Sequence, residues 1–223
     1  MAVDKKVARQ RMRCRKHFLH YFPDGYRDET YIDWERDYKW AAHETWEEQL
    51  NQREYARLLK ARKFSEIADR AVRIETRTNL LFSFEKMALR DAVKGRGARE
   101  FAEGLYEYVY GRGSMRSRFE AFTEVLAGLP RKQTRVLTWP LHTVFGMIAV
   151  PKEHIFLKPR VTQEAAKAYE FDFQYKSKPN WETYQSLLDF AETVRTDTKD
   201  LRPKDMIDLQ GFIWVMGSDE YPW

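Results

Sequence analysis

The chain has 223 residues, of which 33% are charged and 43% hydrophobic, and its formal net charge at pH 7 is +5. This composition excludes a disordered chain, and the length is sufficient for one large domain or two small ones. The single cysteine, Cys14, excludes an intrachain disulfide and a zinc site built on several thiolates.

The first segment of the chain is strongly basic. Residues 1–20 contain seven basic residues and one acidic residue, whereas residues 21–50 contain three basic and nine acidic residues. The segment from Val3 to Tyr21 predicts a basic helix, or a flexible arm that folds on a partner. Phe22-Pro23-Asp24-Gly25 predicts a turn directly after it.

The next part of the chain carries apolar residues at helical spacing. From Thr30 to Ala71 the pattern predicts helices, with a break at residues 63–65 and Ser65 as the cap of the following helix. Thr78-Asn79 offers another cap, and Gly95-Arg96-Gly97 ends the helix that follows. The predicted apolar stripe of that helix consists of Leu80, Leu81, Phe84, Met87, Ala88 and Ala92. Gly95–Gly97 is also the predicted boundary between an N-terminal segment, 1–95, and a C-terminal helical module, 96–223.

The second half of the chain predicts further helices. Two amphipathic helices end at Gly111-Arg112-Gly113 and at Gly128-Leu129-Pro130, and a largely buried helix follows over 136–150. The predicted N-terminal residues of the last four helices are Thr138, Thr162, Asn180 and Asp205. No long alternating pattern predicts a strand. The expected fold is therefore all-α and multi-helical, as one globular unit or two helical subdomains, with little or no β-sheet.

Three residues are candidates for catalysis: His142, Asp205 and Asp208. The two aspartates lie three residues apart on one helical face, where paired carboxylates could hold a divalent ion as in a nuclease. Asp205 also follows Pro203 at a helix start, where a carboxylate is stabilised by the helix dipole, and this interpretation is favoured. His142 lies in an apolar run, which is more typical of a hydrogen-bonded core histidine than of a general base. No histidine pair has metal-binding spacing, so the sequence predicts neither a metal site nor a cofactor.

Basic residues interleaved with aromatic ones form the main binding pattern. Residues 51–135 contain nineteen basic and eleven acidic residues, and such a segment attracts polyanions. Phosphate neutralisation together with base stacking on exposed rings would bind DNA or RNA. The two Gly-Arg-Gly turns are interpreted as helix C-caps with exposed arginines, because neither follows a strand. The candidate nucleic-acid-binding residues are Arg9, Arg11, Arg13, Arg15, Lys16, Arg131, Lys132, Arg135, Lys158 and Arg160.

The order of four motifs resembles a helical module of uncharacterised bacterial proteins linked to restriction or defence systems. The motifs are RVLTWP from Arg135, HIFLKP from His154, PNWETY from Pro179 and DMIDLQGFIW from Asp205. The resemblance covers residues 130–217. It implies an association with DNA-related or antiviral functions and assigns no catalytic residue.

Three functional hypotheses follow. The first is a non-enzymatic helical protein that binds nucleic acid or a nucleoprotein partner. The alternatives are a metal-assisted enzyme acting on nucleic acid, and a protein–protein adaptor that uses an exposed aromatic patch. The candidate adaptor residues are Trp34, Trp40, Trp46 and Trp223. Because no segment approaches the roughly 20 apolar residues of a membrane span, and no apolar run follows the basic N-terminus, we expect a cytoplasmic protein without a membrane partner.

Overall fold

The computed structural model describes residues 5–132 and 134–223, and no β-strand occurs among them. The expected all-α fold is confirmed. Short 3-10 turns occur at Gly25–Arg27 and Lys199–Leu201, and a π-helical segment, Ile32–Arg36, joins α2 to α3. The helices in chain order are α1 Lys5–Tyr21, α2 Glu29–Tyr31, α3 Asp37–Gln49, α4 Gln52–Lys60, α5 Phe64–Thr76, α6 Ser83–Ala92, α7 Gly97–Tyr110, α8 Met115–Gly128, α9 Trp139–Ala149, α10 Pro159–Ala168, α11 Trp181–Asp197 and α12 Met206–Gly217.

Two helices, α9 and α12, form the centre of the core. Every residue of α9 is buried, and Trp214 is the one residue of α12 that is partly exposed. Both helices are buried on all sides and predominantly apolar, as expected of helices surrounded by others. Helix α10 packs closely along α12, since a Cβ at Gly217 would come within 2.0 Å of the Val161 carbonyl oxygen. The central position of α9 and α12 explains why the sequences of both helices consist mostly of apolar residues.

The N-terminal segment is a packed helix. Cys14, His17 and Phe18 are buried on the face of α1 that contacts α12 and α10. Burial raises the pKa of Cys14 to about 12, and its thiol donates to the Ala168 carbonyl at 3.2 Å. The first residues of the predicted helix, Val3 and Asp4, lie outside the described residues.

Three predicted helix starts are confirmed by their capping hydrogen bonds. The Thr138 hydroxyl accepts from Leu141 N, and the Asn180 side chain accepts from Thr183 N. The Asp205 carboxylate accepts from two backbone N–H groups at the start of α12. These are the short side chains that best satisfy the open N–H groups of a first helical turn.

Three other predicted starts are wrong. Ser65 lies inside α5, which begins at Phe64 directly after the left-handed turn at Arg62. Thr78 and Asn79 do not cap α6, because that helix starts at Ser83 and Glu85 accepts the Phe82 N–H instead. Helix α10 starts at Pro159 rather than Thr162, since a proline in the first helical turn leaves no donor unpaired.

The buried apolar residues form one cluster that runs from Cys14 to Tyr221. Helix α7 packs on α5, α4 and α9, so contacts cross the turn at residues 95–97. The division into two subdomains at that turn stays a prediction. No helix of the described ranges is long and apolar enough to cross a membrane.

Candidate functional site

The two candidate catalytic aspartates belong to a buried ionic cluster, which we define as Arg36, Asp205, Asp208 and Tyr31. Arg36 donates to both oxygens of Asp205, at 3.0 and 2.7 Å, and to Asp208 Oδ1 at 2.7 Å. The Tyr31 hydroxyl donates to Asp208 Oδ1 at 3.0 Å, and Lys204 N donates to its Oδ2 at 2.7 Å. Although burial opposes the charged form, the hydrogen bonds that Arg36 donates to Asp205 and Asp208, together with the negative charges of these carboxylates, raise the pKa of Arg36 above its ordinary value.

The ionic cluster leaves no open carboxylate for chemistry. Each oxygen of Asp205 and Asp208 already accepts from a protein donor. Among the described residues no group of three or more His, Cys, Asp or Glu side chains could hold a metal ion. The arrangement therefore supports a role for Asp205 in helix capping and charge pairing. The sequence favoured the same interpretation, a carboxylate at a helix start, over a metal-binding one.

The third catalytic candidate, His142, lies in a different environment. It is fully buried on α9 and stacks on Phe119 with ring centroids 4.0 Å apart. The Thr123 hydroxyl donates to the Phe119 carbonyl, so His142 Nε2, 2.9 Å from that hydroxyl, acts as the donor to it. Burial lowers the pKa of His142 to about 3. A neutral imidazole bonded in this way fits a core histidine, and it shares no hydrogen-bond partner with Asp205.

The candidate basic residues of α1 are partly engaged within the fold. Arg15 makes two hydrogen bonds to Asp200, both 2.7 Å long, and these lower the pKa of that carboxyl. Arg11 contacts Asp197 at 3.4 Å, and the Arg13 guanidinium lies over the Trp223 ring. Arg9 and Lys16 are exposed. Arg11 and Arg15 therefore lie at the end of α11, and none of these five residues lines the groove described next.

A groove lined by aromatic rings lies between α6, the start of α9, the start of α10 and the end of α12. Its volume is about 710 Å³. We call it the aromatic groove and define it by its ring-bearing and charged residues. These residues are Phe82, Phe84, Trp139, Tyr175, Trp214, Glu85, Arg135, Lys158, Arg160, Asp219 and Glu220.

Two rings of the aromatic groove come from the start of α6, where the sequence predicted a core stripe. Phe84 is 49% exposed, and Met87 of that predicted stripe is 43% exposed. The prediction was wrong for both, because α6 begins at Ser83 and buries Glu85 and Leu89 together with Ala88 and Ala92 of the stripe. Phe82 is 56% exposed and stacks on Phe84 with ring centroids 5.7 Å apart. Exposed phenylalanine pairs of this kind are typical of binding surfaces.

Two predicted nucleic-acid-binding cations, Lys158 and Arg160, line the groove but already have partners. The Lys158 ammonium lies 3.5 Å from the Phe82 ring centroid, donates to the Leu80 carbonyl and is 3.9 Å from the Glu85 carboxylate. Burial lowers the pKa of Lys158. Arg160 forms an ion pair with Asp219. Lys158 therefore positions Phe82, and each of the two cations has a carboxylate partner within the fold.

Exposed cations are carried by three chain segments next to the groove, and one of them, Arg135, lines the groove itself. We define the basic rim as Arg90, Arg131, Lys132, Arg135, Lys176 and Lys178, which are all exposed. Three segments supply them: the end of α6, residues 131–135, and residues 176–178. Lys132 reaches Asp91 of α6 at 4.0 Å, and the Trp139 indole donates to the Lys176 carbonyl at 2.8 Å. In the described parts of the chain the side chains of Arg135, Lys176 and Lys178 form no ion pair.

The loop between α5 and α6 carries Phe82 into the groove and rests on a buried carboxyl group. Glu75 is fully buried, and its Oε1 lies 3.7 Å from the Lys86 ammonium. Lys86 in turn donates to the carbonyls of Thr76 and Thr78. Burial raises the pKa of Glu75 to about 7. The position of Phe82 therefore depends on ionic and hydrogen-bonding interactions behind the loop.

A smaller cavity adjoins the aromatic groove. We call this cavity of about 270 Å³ the side chamber. It shares Phe82, Lys158, Trp214 and Glu220 with the groove, and it adds Trp34 and Gln210. Trp34 is 56% exposed, and it lies on the π-helical segment that also carries Arg36. Of the four tryptophans predicted as adaptor residues, Trp34 is the one at this site, and Trp46 is fully buried.

Three of the predicted binding residues, Arg135, Lys158 and Arg160, line the groove, whereas the sequence did not predict most of its ring-bearing residues as part of a site. Phe82 and Phe84 are separated by one residue, a spacing that cannot put both on the same buried helix face. That spacing was the signal for an exposed ring. Tyr175, Trp214 and Gln210 come from distant segments, and no local pattern connects them with α6.

Comparisons with protein-family models, curated proteins and solved structures find no match to this chain.

Proposed function

We propose that the protein binds single-stranded nucleic acid, with bases in the aromatic groove and phosphates on the basic rim. The observation that carries the proposal is the adjacency of exposed rings and exposed cations. Phe82 and Phe84 are about half exposed in a groove that also includes Arg135. Base–ring stacking and phosphate neutralisation are the two interactions that bind single strands irrespective of sequence.

A single strand fits this site better than a duplex does. Bases of a duplex are stacked and paired inside it, whereas unpaired bases are free to stack on aromatic side chains. The groove volume of about 710 Å³ lies within the range of roughly 300–1,000 Å³ for sites that enclose organic ligands. The groove can therefore enclose bases while the chain of phosphates remains at its edge.

The basic rim also separates this proposal from the adaptor hypothesis. An adaptor would use the same exposed rings of Trp34, Phe82 and Phe84. It would give no role to Arg135 and Lys176, whose charges are exposed beside them. A polyanionic ligand uses both features, and its phosphates supply the charges that these cations lack within the fold.

The test is a salt titration of oligonucleotide binding, measured by fluorescence anisotropy with labelled single strands and duplexes. We expect the wild-type protein to prefer the single strand, with an affinity that falls as salt rises. Replacing Arg135 and Lys176 by Ala should weaken binding at low salt. The double replacement should also make the salt dependence shallower, with the slope decreasing by roughly 0.7 for each phosphate that is no longer neutralised.

The matched control replaces two other exposed lysines, Lys60 and Lys63, by Ala. They lie just before the start of α5, roughly 20 Å along that helix from the end that leads to the groove. This variant removes the same amount of charge and should bind as the wild type does. If both double variants bind equally weakly, the loss of affinity comes from the lower net charge and the basic rim has no specific role. If no strand binds at low salt, the proposal is refuted.

A further inference from the structure

A second cavity adjoins the aromatic groove and follows α10. Its volume is about 500 Å³, and we call it the α10 groove. The two grooves share Arg160, Ser218 and Asp219, so they meet at these residues. Glu164 and Lys167 follow Arg160 at helical spacing on one face of α10, and this face extends the combined surface by roughly 10 Å. A ligand that leaves the aromatic groove at Arg160 therefore meets the α10 groove directly.

The α10 groove contains an exposed ring of its own. Trp223 lines this groove and is 54% exposed. Helix α1 holds the ring in place, because it stacks on His17 with centroids 4.0 Å apart and the Arg13 guanidinium lies 5.1 Å from its centroid. The Tyr21 hydroxyl also donates to the Pro222 carbonyl at 2.8 Å. The ring is therefore positioned by the fold, and it keeps a large exposed surface for stacking.

Three exposed cations of α1 accompany this ring, and we call them the α1 stripe. Arg9, Arg13 and Lys16 are spaced by four and three residues, which places them on one face of the helix. Their side chains form no ion pair with any other described residue. Arg13 contacts Trp223, and Gln10, the neighbour of Arg9, lines the α10 groove. The stripe therefore borders the groove and repeats the combination of an exposed ring with exposed cations.

We infer that one single strand occupies both grooves, passing Arg160 to stack a base on Trp223 and place phosphates on the α1 stripe. This inference rests on the proposed function, since it extends the path of the same strand. Both grooves combine exposed rings with neighbouring cations that have no carboxylate partner, which suits a polyanion that carries flat bases. At the 3.4 Å spacing of stacked nucleotides, the roughly 10 Å along α10 accommodates about three nucleotides.

The ion pair between Arg160 and Asp219 lies where the two grooves meet. Both side chains are highly exposed, at 70% and 84%, and exposed ion pairs contribute little to stability. A phosphate can therefore replace Asp219 as the partner of Arg160 at small cost. Glu164 is the other carboxylate of the α10 groove, and Lys167 on the same helix face offsets its charge.

The experiment compares thymidine strands of about 4 and about 12 nucleotides, within the range of roughly 4–16 nucleotides for domains that bind single strands. Binding is measured by fluorescence anisotropy. Replacing Arg9, Arg13 and Lys16 by Ala should weaken binding of the long strand at least about tenfold. The salt slope for that strand should become shallower by roughly 2, at about 0.7 for each of three phosphates. The short strand, which fits within the aromatic groove, should retain most of its affinity.

The matched control replaces three exposed cations elsewhere by Ala. These are Arg53 and Lys60 on α4 and Lys63 just before α5. The control variant carries the same net charge as the α1 variant, so any general effect of charge appears in both. We expect it to affect the long and the short strand alike and to preserve the preference for the long one.

Trp223→Leu tests the ring separately from the charges. It should weaken binding of the long strand about tenfold, as the loss of one stacked base implies, and leave the salt slope and the short strand unchanged. Because Trp223 is exposed, this replacement leaves the core intact. Met12→Ala, at an exposed apolar residue of α1 that lines neither groove, is the control and should bind both strands as the wild type does.

The outcomes separate this inference from the proposed function. If the α1 variant keeps the wild-type preference for the long strand, or loses affinity no more selectively than its control, the path along α10 is overturned and the proposed function stands. Wild-type affinity of Trp223→Leu for the long strand would overturn stacking on that ring. If neither strand binds the wild-type protein at low salt, both the proposed function and this inference fail.

Discussion

The ionic cluster and the aromatic groove are built from similar kinds of residue and differ in how completely those residues are paired. Arg36 and Asp208 are buried, and each charged atom has a partner within the fold. In the aromatic groove Phe84 is half exposed, and within the described residues the side chain of Arg135 forms no ion pair. Complete pairing indicates a structural role, and unused capacity indicates a place for a ligand.

The two regions meet at one segment of chain. Residues Ile32–Arg36 place Trp34 in the side chamber and Arg36 in the ionic cluster. Glu35, between them, accepts from the Tyr221 hydroxyl at 2.6 Å and from Lys39 at 3.3 Å. The buried ionic cluster therefore supports the exposed binding surface. Variants in the ionic cluster should change the free energy of unfolding, and variants in the groove should change binding affinity.

The largest expected effect comes from breaking the ionic cluster. Arg36→Leu removes the guanidinium and leaves the buried carboxylates of Asp205 and Asp208 uncompensated. We expect the free energy of unfolding to fall by about 3–5 kcal/mol, measured by urea denaturation. Arg57→Leu, which breaks an exposed ion pair with Glu54, is the control and should leave the free energy of unfolding nearly unchanged. Similar destabilisation in both variants would contradict the structural role of the ionic cluster.

The second effect concerns Glu75, whose pKa is raised from the ordinary 4.5 to about 7. The folded protein holds this proton more tightly than the unfolded chain, so stability falls as pH rises from 4.5 through 7. The full decrease above pH 7 is about 3 kcal/mol, at roughly 1.4 kcal/mol per pKa unit. Glu75→Gln should remove this decline and be more stable than the wild type at pH 8.

Denaturation curves between pH 5 and 8 measure the contribution of Glu75. Glu103→Gln, at an exposed ion pair with Arg99, is the control and should leave the pH dependence unchanged. A pH profile of Glu75→Gln that parallels the wild type would show that the carboxyl group titrates normally.

The smallest effect tests the open region. Phe84→Leu keeps an apolar side chain on α6 and removes a ring available for stacking. We expect single-strand affinity to fall about tenfold, within the roughly 1–3 kcal/mol of one stacked base, with no change in the salt slope. Met12→Ala, at an exposed apolar residue of α1, should leave affinity unchanged. A Phe84 variant that binds like the wild type would remove the groove from the binding site.

The sequence predicts the parts of this protein that depend on local spacing. The all-α fold class follows from the helical periodicity of apolar residues. Asn180 and Asp205 cap helices because their side chains reach backbone N–H groups two or three residues ahead. The predicted start of α6 is wrong because the Thr78 hydroxyl bonds back to the Glu75 carbonyl at the end of α5 and does not reach forward to α6.

The site itself depends on contacts between distant residues. Arg36 and Asp208 are 172 positions apart, and Lys158 meets Leu80 across 78 positions. No periodicity encodes such pairs. Arg135, Lys158 and Arg160 were grouped from the sequence because they flank one buried helix, and the rings opposite them became apparent only from the packing of α6 and α12.

The π-helical segment Ile32–Arg36 has a consequence for changes in chain length. A π turn accommodates an additional residue compared with an α turn, and such turns are frequent at functional sites. Deleting one residue there would rotate the flanking helical residues by about 100° relative to each other. Trp34 and Arg36 could then no longer both reach their present positions. A substitution at either residue alters one region alone, whereas a deletion or insertion would disturb the interior and the binding surface together.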